Sequence, residues 1–143
     1  MKYDDLLKSG HIRAERVSQK EIDRAMERSG RDLVTAREII QQDLDWCFAI
    51  AYDVLLQASR AYMFAQGYRP ASSESHKNTL AFMRVALGKQ HCDMIDFFDR
   101  MRIKRNQALY DLAGTITETE ARTLIRKATE YVELIQSLLG KTV

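Results

Sequence analysis

Apolar residues along the chain recur at steps of three and four and nowhere alternate for long. That spacing is the signature of helices that bury one face. The longest run steps through Leu33, Ala36, Ile40, Leu44, Cys47, Ala51, Val54, Ala58, Tyr62 and Ala65 until "GYRP" ends it, and predicts one spine helix spanning most of the domain. Two modest amphipathic helices precede it. The first covers roughly Tyr3 to Lys8 and stops at Ser9-Gly10; the second opens with Ser18 and Glu21 as a capping box and stops at Ser29-Gly30. The loop "PASSES" opens with the only proline, Pro70, and its serines are placed to cap a fourth helix carrying Leu80, Met83 and Leu87 before Gly88. A fifth helix runs from about Gln90 to Leu112. Thr117 and Glu120 form a second capping box, which starts a last helix whose Ala121, Leu124, Ala128, Tyr131, Ile135 and Leu138 repeat as a seam before Gly140. No stretch is long enough to predict a strand. The expected fold is all-α, an up-down antiparallel bundle of about five or six helices in one domain over residues 1–143.

Composition narrows the function classes only a little. The chain of 143 residues is 45% hydrophobic and 29% charged with a formal charge of +2, ordinary values that leave any electrostatic argument to be local. Cys47 and Cys92 stand outside any metal-ligand or redox spacing, and no leader pattern precedes Tyr3-Asp4-Asp5, so a cytoplasmic location is expected. The richest apolar stretch, "WCFAIAYDVLLQASRAYMFA", is interrupted by Asp53, Gln57 and Arg60, which a bilayer core tolerates poorly. No membrane span is expected. The inward Glu-x-x-His pairs of a di-metal bundle are missing from the sequence, so neither a metal nor another cofactor is expected. The stretch "EIDRAMERSGRDLVTAREII" has a helix-glycine-helix look, but its second half leads into the spine and is not free to enter a DNA groove.

One residue breaks the pattern. On the fifth helix the apolar seam reads Met94, Phe98, Met101, Arg105, Ala108, Leu112, placing Arg105 where a core side chain belongs. Arg102, Asn106 and Tyr110 form a neighbouring row at the stripe's edge. Burying an unpaired guanidinium costs several kcal/mol, so Arg105 needs a carboxylate, carbonyls, a wet cleft or a ligand anion. Two readings follow. Either its stem packs while its head reaches water or an acidic partner, or it faces a phosphate, with Arg100, Arg102 and Lys104 adding positive field.

"RIKRNQALYD", followed by a capped final helix, resembles the HEPN domains, the higher eukaryotes and prokaryotes nucleotide-binding family of small α-bundles. The similarity takes in "AYDVLLQASRAYMFAQGYR", "SESHKNTL" and "ETEARTLIRKATEYVELI", about residues 18 to 139 in all. It implies a bundle of four to six helices, often a homodimer, with an R-x(4-6)-H motif lining a cleft at the dimer interface. Active members are metal-independent ribonucleases, frequently toxins paired with a small nucleotidyltransferase antitoxin; inactive ones bind RNA, nucleotides or proteins. Carried onto this chain, Arg105 takes the motif arginine and Asn106 the polar residue that commonly follows it. Tyr110 stands where the histidine is expected. Histidine titrates near 6.5 and tyrosine near 10 in general, so a tyrosine there serves stacking or hydrogen bonding better than proton transfer at neutral pH.

Other histidines carry less. Arg69 with His76 and Arg84 with His91 meet the spacing formally, but Pro70 interrupts one pair and Gly88 the other. His76 is expected as a capping or core residue, with a place facing the cleft as its lesser reading, and His11 as an exposed loop residue. The leading expectation is therefore an RNA- or nucleotide-binding bundle with a degenerate or weak ribonuclease motif, using Arg105, Asn106 and Tyr110 as the motif residues and Arg100, Arg102, Lys104 and Arg105 for nucleic acid. In that reading it acts as a homodimer, as a toxin-antitoxin component beside a nucleotidyltransferase. The rival is a dimerising adaptor or antitoxin-like interaction module without nucleic acid, and an active ribonuclease using Tyr110 stands behind both. Trp46, Phe48, Phe97 and Ile103 place apolar groups on more than one side of their helices, which is the residue-level argument for a homodimer.

Overall fold

The computed structural model describes residues 2–111 and 113–141, and Leu112, the end of the expected fifth-helix seam, lies outside them. Among the described residues the chain forms α1 (Asp4–Lys8), β1 (Ile12–Ala14), α2 (Gln19–Ile39), α3 (Leu44–Gln66), β2 (Tyr68–Pro70), α4 (Ser75–Leu87), α5 (Cys92–Asn106) and α6 (Glu118–Lys141). A 3₁₀ turn at Lys89–His91 leads into α5, and a π turn at Gln107–Asp111 leaves it. The all-α expectation holds. The strands are a short exception: β1 and β2 pair antiparallel, Arg13 opposite Arg69, and tie the N-terminal segment to the end of α3. Three residues are too few for alternation to register in a sequence.

The spine is two helices rather than one. Glu21 N–H donates to Ser18 Oγ at 3.2 Å, as a cap should, but α2 then runs on through Gly30 to Ile39. One helical glycine costs about 1 kcal/mol, and burial of Leu33 and Ala36 beyond it outweighs that. Ser29, the expected stop, is fully buried and turns its hydroxyl back to the Met26 carbonyl at 2.7 Å. The true break is at residues 40–43. Asp43 takes extended backbone and its Oδ1 accepts the Trp46 N–H at 3.0 Å, an N-cap that starts α3. The apolar spacing happens to stay in phase across this turn, which is why the pattern reads as continuous. Gly67, at φ 90°, closes α3 in the left-handed conformation that glycine adopts without strain.

The core lies where α3 packs against α2 on one side and α6 on another. Tyr52, Phe48, Leu55, Leu56, Met63, Leu124, Tyr131 and Ile135 are fully buried there. Ser59 and Tyr131 satisfy each other by a hydroxyl hydrogen bond at 2.6 Å across α3 and α6. From α5, Phe98 enters edge-on to Tyr131, centroids 4.7 Å apart at 89°. The capping box of α6 forms in full: Glu120 N–H donates to Thr117 Oγ1 at 3.1 Å and Thr117 N–H to Glu120 Oε1 at 2.9 Å. At α2 only half of it forms, because the Glu21 carboxylate instead receives Arg69 at 2.6 Å. Phe48 is core rather than a second face, whereas Trp46 is 57% and Ile103 48% exposed.

Candidate functional site

The start of α4 and the end of α5 form the walls of a groove of about 430 Å³ lined by Glu74, Ser75, His76, Lys77, Arg102, Arg105, Asn106 and Tyr110. The α4 wall is built by local hydrogen bonds rather than by a serine cap. Glu74 occupies the cap position at φ 52°, a left-handed conformation unusual for a residue with a side chain, and its own side chain makes no capping bond. Buried Asn78 holds the entry instead, donating from Nδ2 to the Ser73 carbonyl at 2.8 Å. The serines of "PASSES" therefore do not cap α4 as expected. Fixing this turn places His76 and Lys77 on the groove.

The α5 wall holds the residue that the pattern singled out. Arg105 is half-buried, and its Nε is buried with no hydrogen-bond partner among the described residues. One guanidinium nitrogen donates to the neighbouring Asn106 Oδ1 at 3.1 Å, and Cζ stands 5.7 Å from the centroid of the Tyr52 ring on α3. Among the described residues no carboxylate pairs with it. A cation over an aromatic face is stabilised modestly and keeps its charge uncompensated. Beside it Arg102, its side chain 16% exposed, pairs with Asp99 at 3.1 Å. Tyr110 lies in the π turn, where backbone hydrogen bonding skips an extra residue and such turns recur at functional sites. The residue is 74% exposed at the groove's mouth.

Of the residues expected to act together, Arg102, Arg105, Asn106 and Tyr110 share this groove, and Arg100 and Lys104 do not line it. Lys104 forms an ion pair with Glu120 of α6, and exposed Arg100 lies 5.9 Å from the Phe97 ring. Lys77 is the residue that sequence reasoning missed, and His76 takes the cleft-facing place that was only its lesser reading. Their signal was the position just after a loop of turn composition, which fixes a helix start but not the direction it faces.

His76 sits against Tyr52 as well, ring centroids 5.9 Å apart and tilted by 36°. Burial holds its imidazole below the ordinary histidine value of 6.5, and the charges of Arg105, Arg60 and Arg102 push the same way against the opposing pull of Asp53. The Tyr52 phenol, fully buried, is held well above the usual tyrosine range by that burial, so it stays protonated. The other formal motif arginines are engaged elsewhere: Arg69 with Glu15 and Glu21, Arg84 with Asp96 at 2.7 Å.

The groove continues past Lys77 and Arg102. Those two residues, with Leu80, Ala81, Arg84 and Asp99, line a second depression of about 340 Å³ further along α4 and α5. A larger hollow of about 530 Å³ lies between the end of α2 and α6, where Arg37, Arg122 and Arg126 are interspersed with Glu130 and Glu133. Its charges are mixed, and Arg122 is already bound to Glu118 at 2.8 Å. The α4–α5 groove is therefore the stronger site of the three, because among the described residues it joins an uncompensated guanidinium to a histidine. No described helix is long and apolar enough to cross a membrane. The family model of the HEPN domain matches residues 22–138. No curated protein matches the chain.

Proposed function

The chain belongs to the HEPN family, and from that premise we propose that it binds single-stranded RNA along the α4–α5 groove. Arg105 takes one phosphate, Arg102 the next and Lys77 a third. The observation that carries this is the half-buried Arg105 guanidinium, which has an orphaned Nε and no carboxylate partner among the described residues. A planar fork with unused donors suits a phosphate oxygen pair, and a phosphate there offsets the cost of burying the charge. The continuation of the groove through Lys77 and Arg102 favours an extended strand over a single nucleotide. Exposed Tyr110 at the mouth offers a ring on which a base stacks without regard to sequence.

A homodimer and a nucleotidyltransferase partner belong to the same proposal. Exposed Trp46 and Ile103 supply apolar surface for the first, and the family resemblance suggests the second. The test is affinity for a labelled single-stranded RNA oligomer as a function of salt. Three phosphate contacts on a single strand give a log-log slope of about −2, and Lys77→Ala or Arg102→Ala each reduces it by about 0.7. An affinity indifferent to salt in the native protein rules the groove out as an RNA site and leaves a protein-interaction role for the Trp46 surface.

A further inference from the structure

The motif histidine absent from position 110 has a counterpart in space. We propose that His76, reaching the groove from α4, is the general base of a ribonuclease centre in which Arg105 holds the scissile phosphate. This rests on the RNA-binding reading above and adds the chemistry to it. Both groups line the same groove and both stand against the ring of Tyr52, His76 with centroids 5.9 Å apart and Arg105 at 5.7 Å. Tyr52 is fully buried on α3, so it is a fixed platform from which the imidazole and the guanidinium are positioned together. The α4 turn that presents His76 is itself held by Asn78.

The chemistry requires nothing that the groove and water do not supply. His76 takes the proton from a ribose 2′-hydroxyl as its oxygen attacks the adjacent phosphorus, so that the 2′-O–P bond forms and the P–O5′ bond breaks. The imidazolium then delivers that proton, through water, to the departing 5′ oxygen. The products are a 2′,3′-cyclic phosphate and a 5′-hydroxyl, with no net change in protons. Arg105 stabilises the extra negative charge on the phosphoryl oxygens in between. A base must be unprotonated at the working pH, and the surroundings of His76 favour that form: burial first, then Arg105, Arg60 and Arg102, opposed by Asp53. Lys77 and Glu74, on its own turn, pair with each other at 3.4 Å. Phosphate binding at Arg105 partly cancels that arginine's push, and so draws the imidazole back towards the range where proton transfer in both directions is fast.

The test uses a single-stranded oligoribonucleotide in excess chelator, with the 2′-O-methyl version of the same oligomer as a non-cleavable binding probe. The native protein is expected to release 2′,3′-cyclic phosphate ends, with a rate that falls as pH drops through the lowered His76 value. His76→Gln is expected to bind the 2′-O-methyl probe within about threefold of native, yet to cleave about a hundredfold to ten-thousandfold more slowly and without that acid limb. His76→Asn, with matching thermal unfolding and probe binding, guards against a folding defect in the first variant. Probe binding without cleavage by the native protein, or cleavage undiminished in both variants, overturns the His76 assignment and leaves RNA binding intact. Failure of the native protein to bind the probe overturns both.

Discussion

Phe98→Ala is expected to lower the unfolding free energy by about 3–5 kcal/mol, the usual cost of emptying a buried aromatic position. Phe98 is fully buried and meets Tyr131 edge-on at 4.7 Å, so its loss opens a cavity and removes an aromatic contact. The neighbours cannot easily close in, since the Tyr131 hydroxyl is held by Ser59 at 2.6 Å. For a domain of this size the midpoint of thermal unfolding should fall by about 10–15 °C. Chemical denaturation followed by circular dichroism measures it. A loss under 1 kcal/mol would mean that α5 is not anchored through this ring. The damage should also reach the groove, because Arg102 and Arg105 lie on the same helix one and two turns further on.

Arg105→Met should do the opposite. It is expected to leave the unfolding midpoint unchanged or raised while lowering affinity for single-stranded RNA about tenfold to a hundredfold, the worth of one charge-assisted contact. A methionine fills the space of the arginine stem and removes the cost of an enclosed charge whose Nε has no partner among the described residues. The guanidinium's contact with the Tyr52 ring is lost, and a sulfur-aromatic one can take its place. Paired melting and binding measurements separate the outcomes. Marked destabilisation with RNA affinity intact would assign Arg105 to the fold instead of the ligand.

Helix positions were legible in the sequence wherever a cap and an apolar phase agreed. Thr117 and Glu120 mark the start of α6 unambiguously, and the seam from Ala121 through Tyr131 to Ile135 is indeed the buried one. The α2–α3 boundary was not legible, because Ile40 and Leu44 keep the helical step across a turn whose only announcement is the capping carboxylate of Asp43. Ser29-Gly30 misled for the converse reason, a stop signal overridden by burial on both sides of it. The anomaly of Arg105 was visible as a charge in an apolar phase. Its partner across the groove was not. His76 and Arg105 meet through Tyr52 on a third helix, and such a contact depends on how α3, α4 and α5 pack, which no local spacing encodes.

The buried layers and the groove draw on different parts of the chain. The helices α2, α3 and α6 make the densest packing in the molecule, while α4 and α5 are joined through the Gly88 turn and carry between them every residue of the groove except Tyr110 and the cap residue Glu74. None of the groove's side chains is fully buried. Substitutions along its rim can therefore accumulate without taxing the stability of the frame, so what the groove accepts is free to change while Tyr52 stays in place beneath the changing surface.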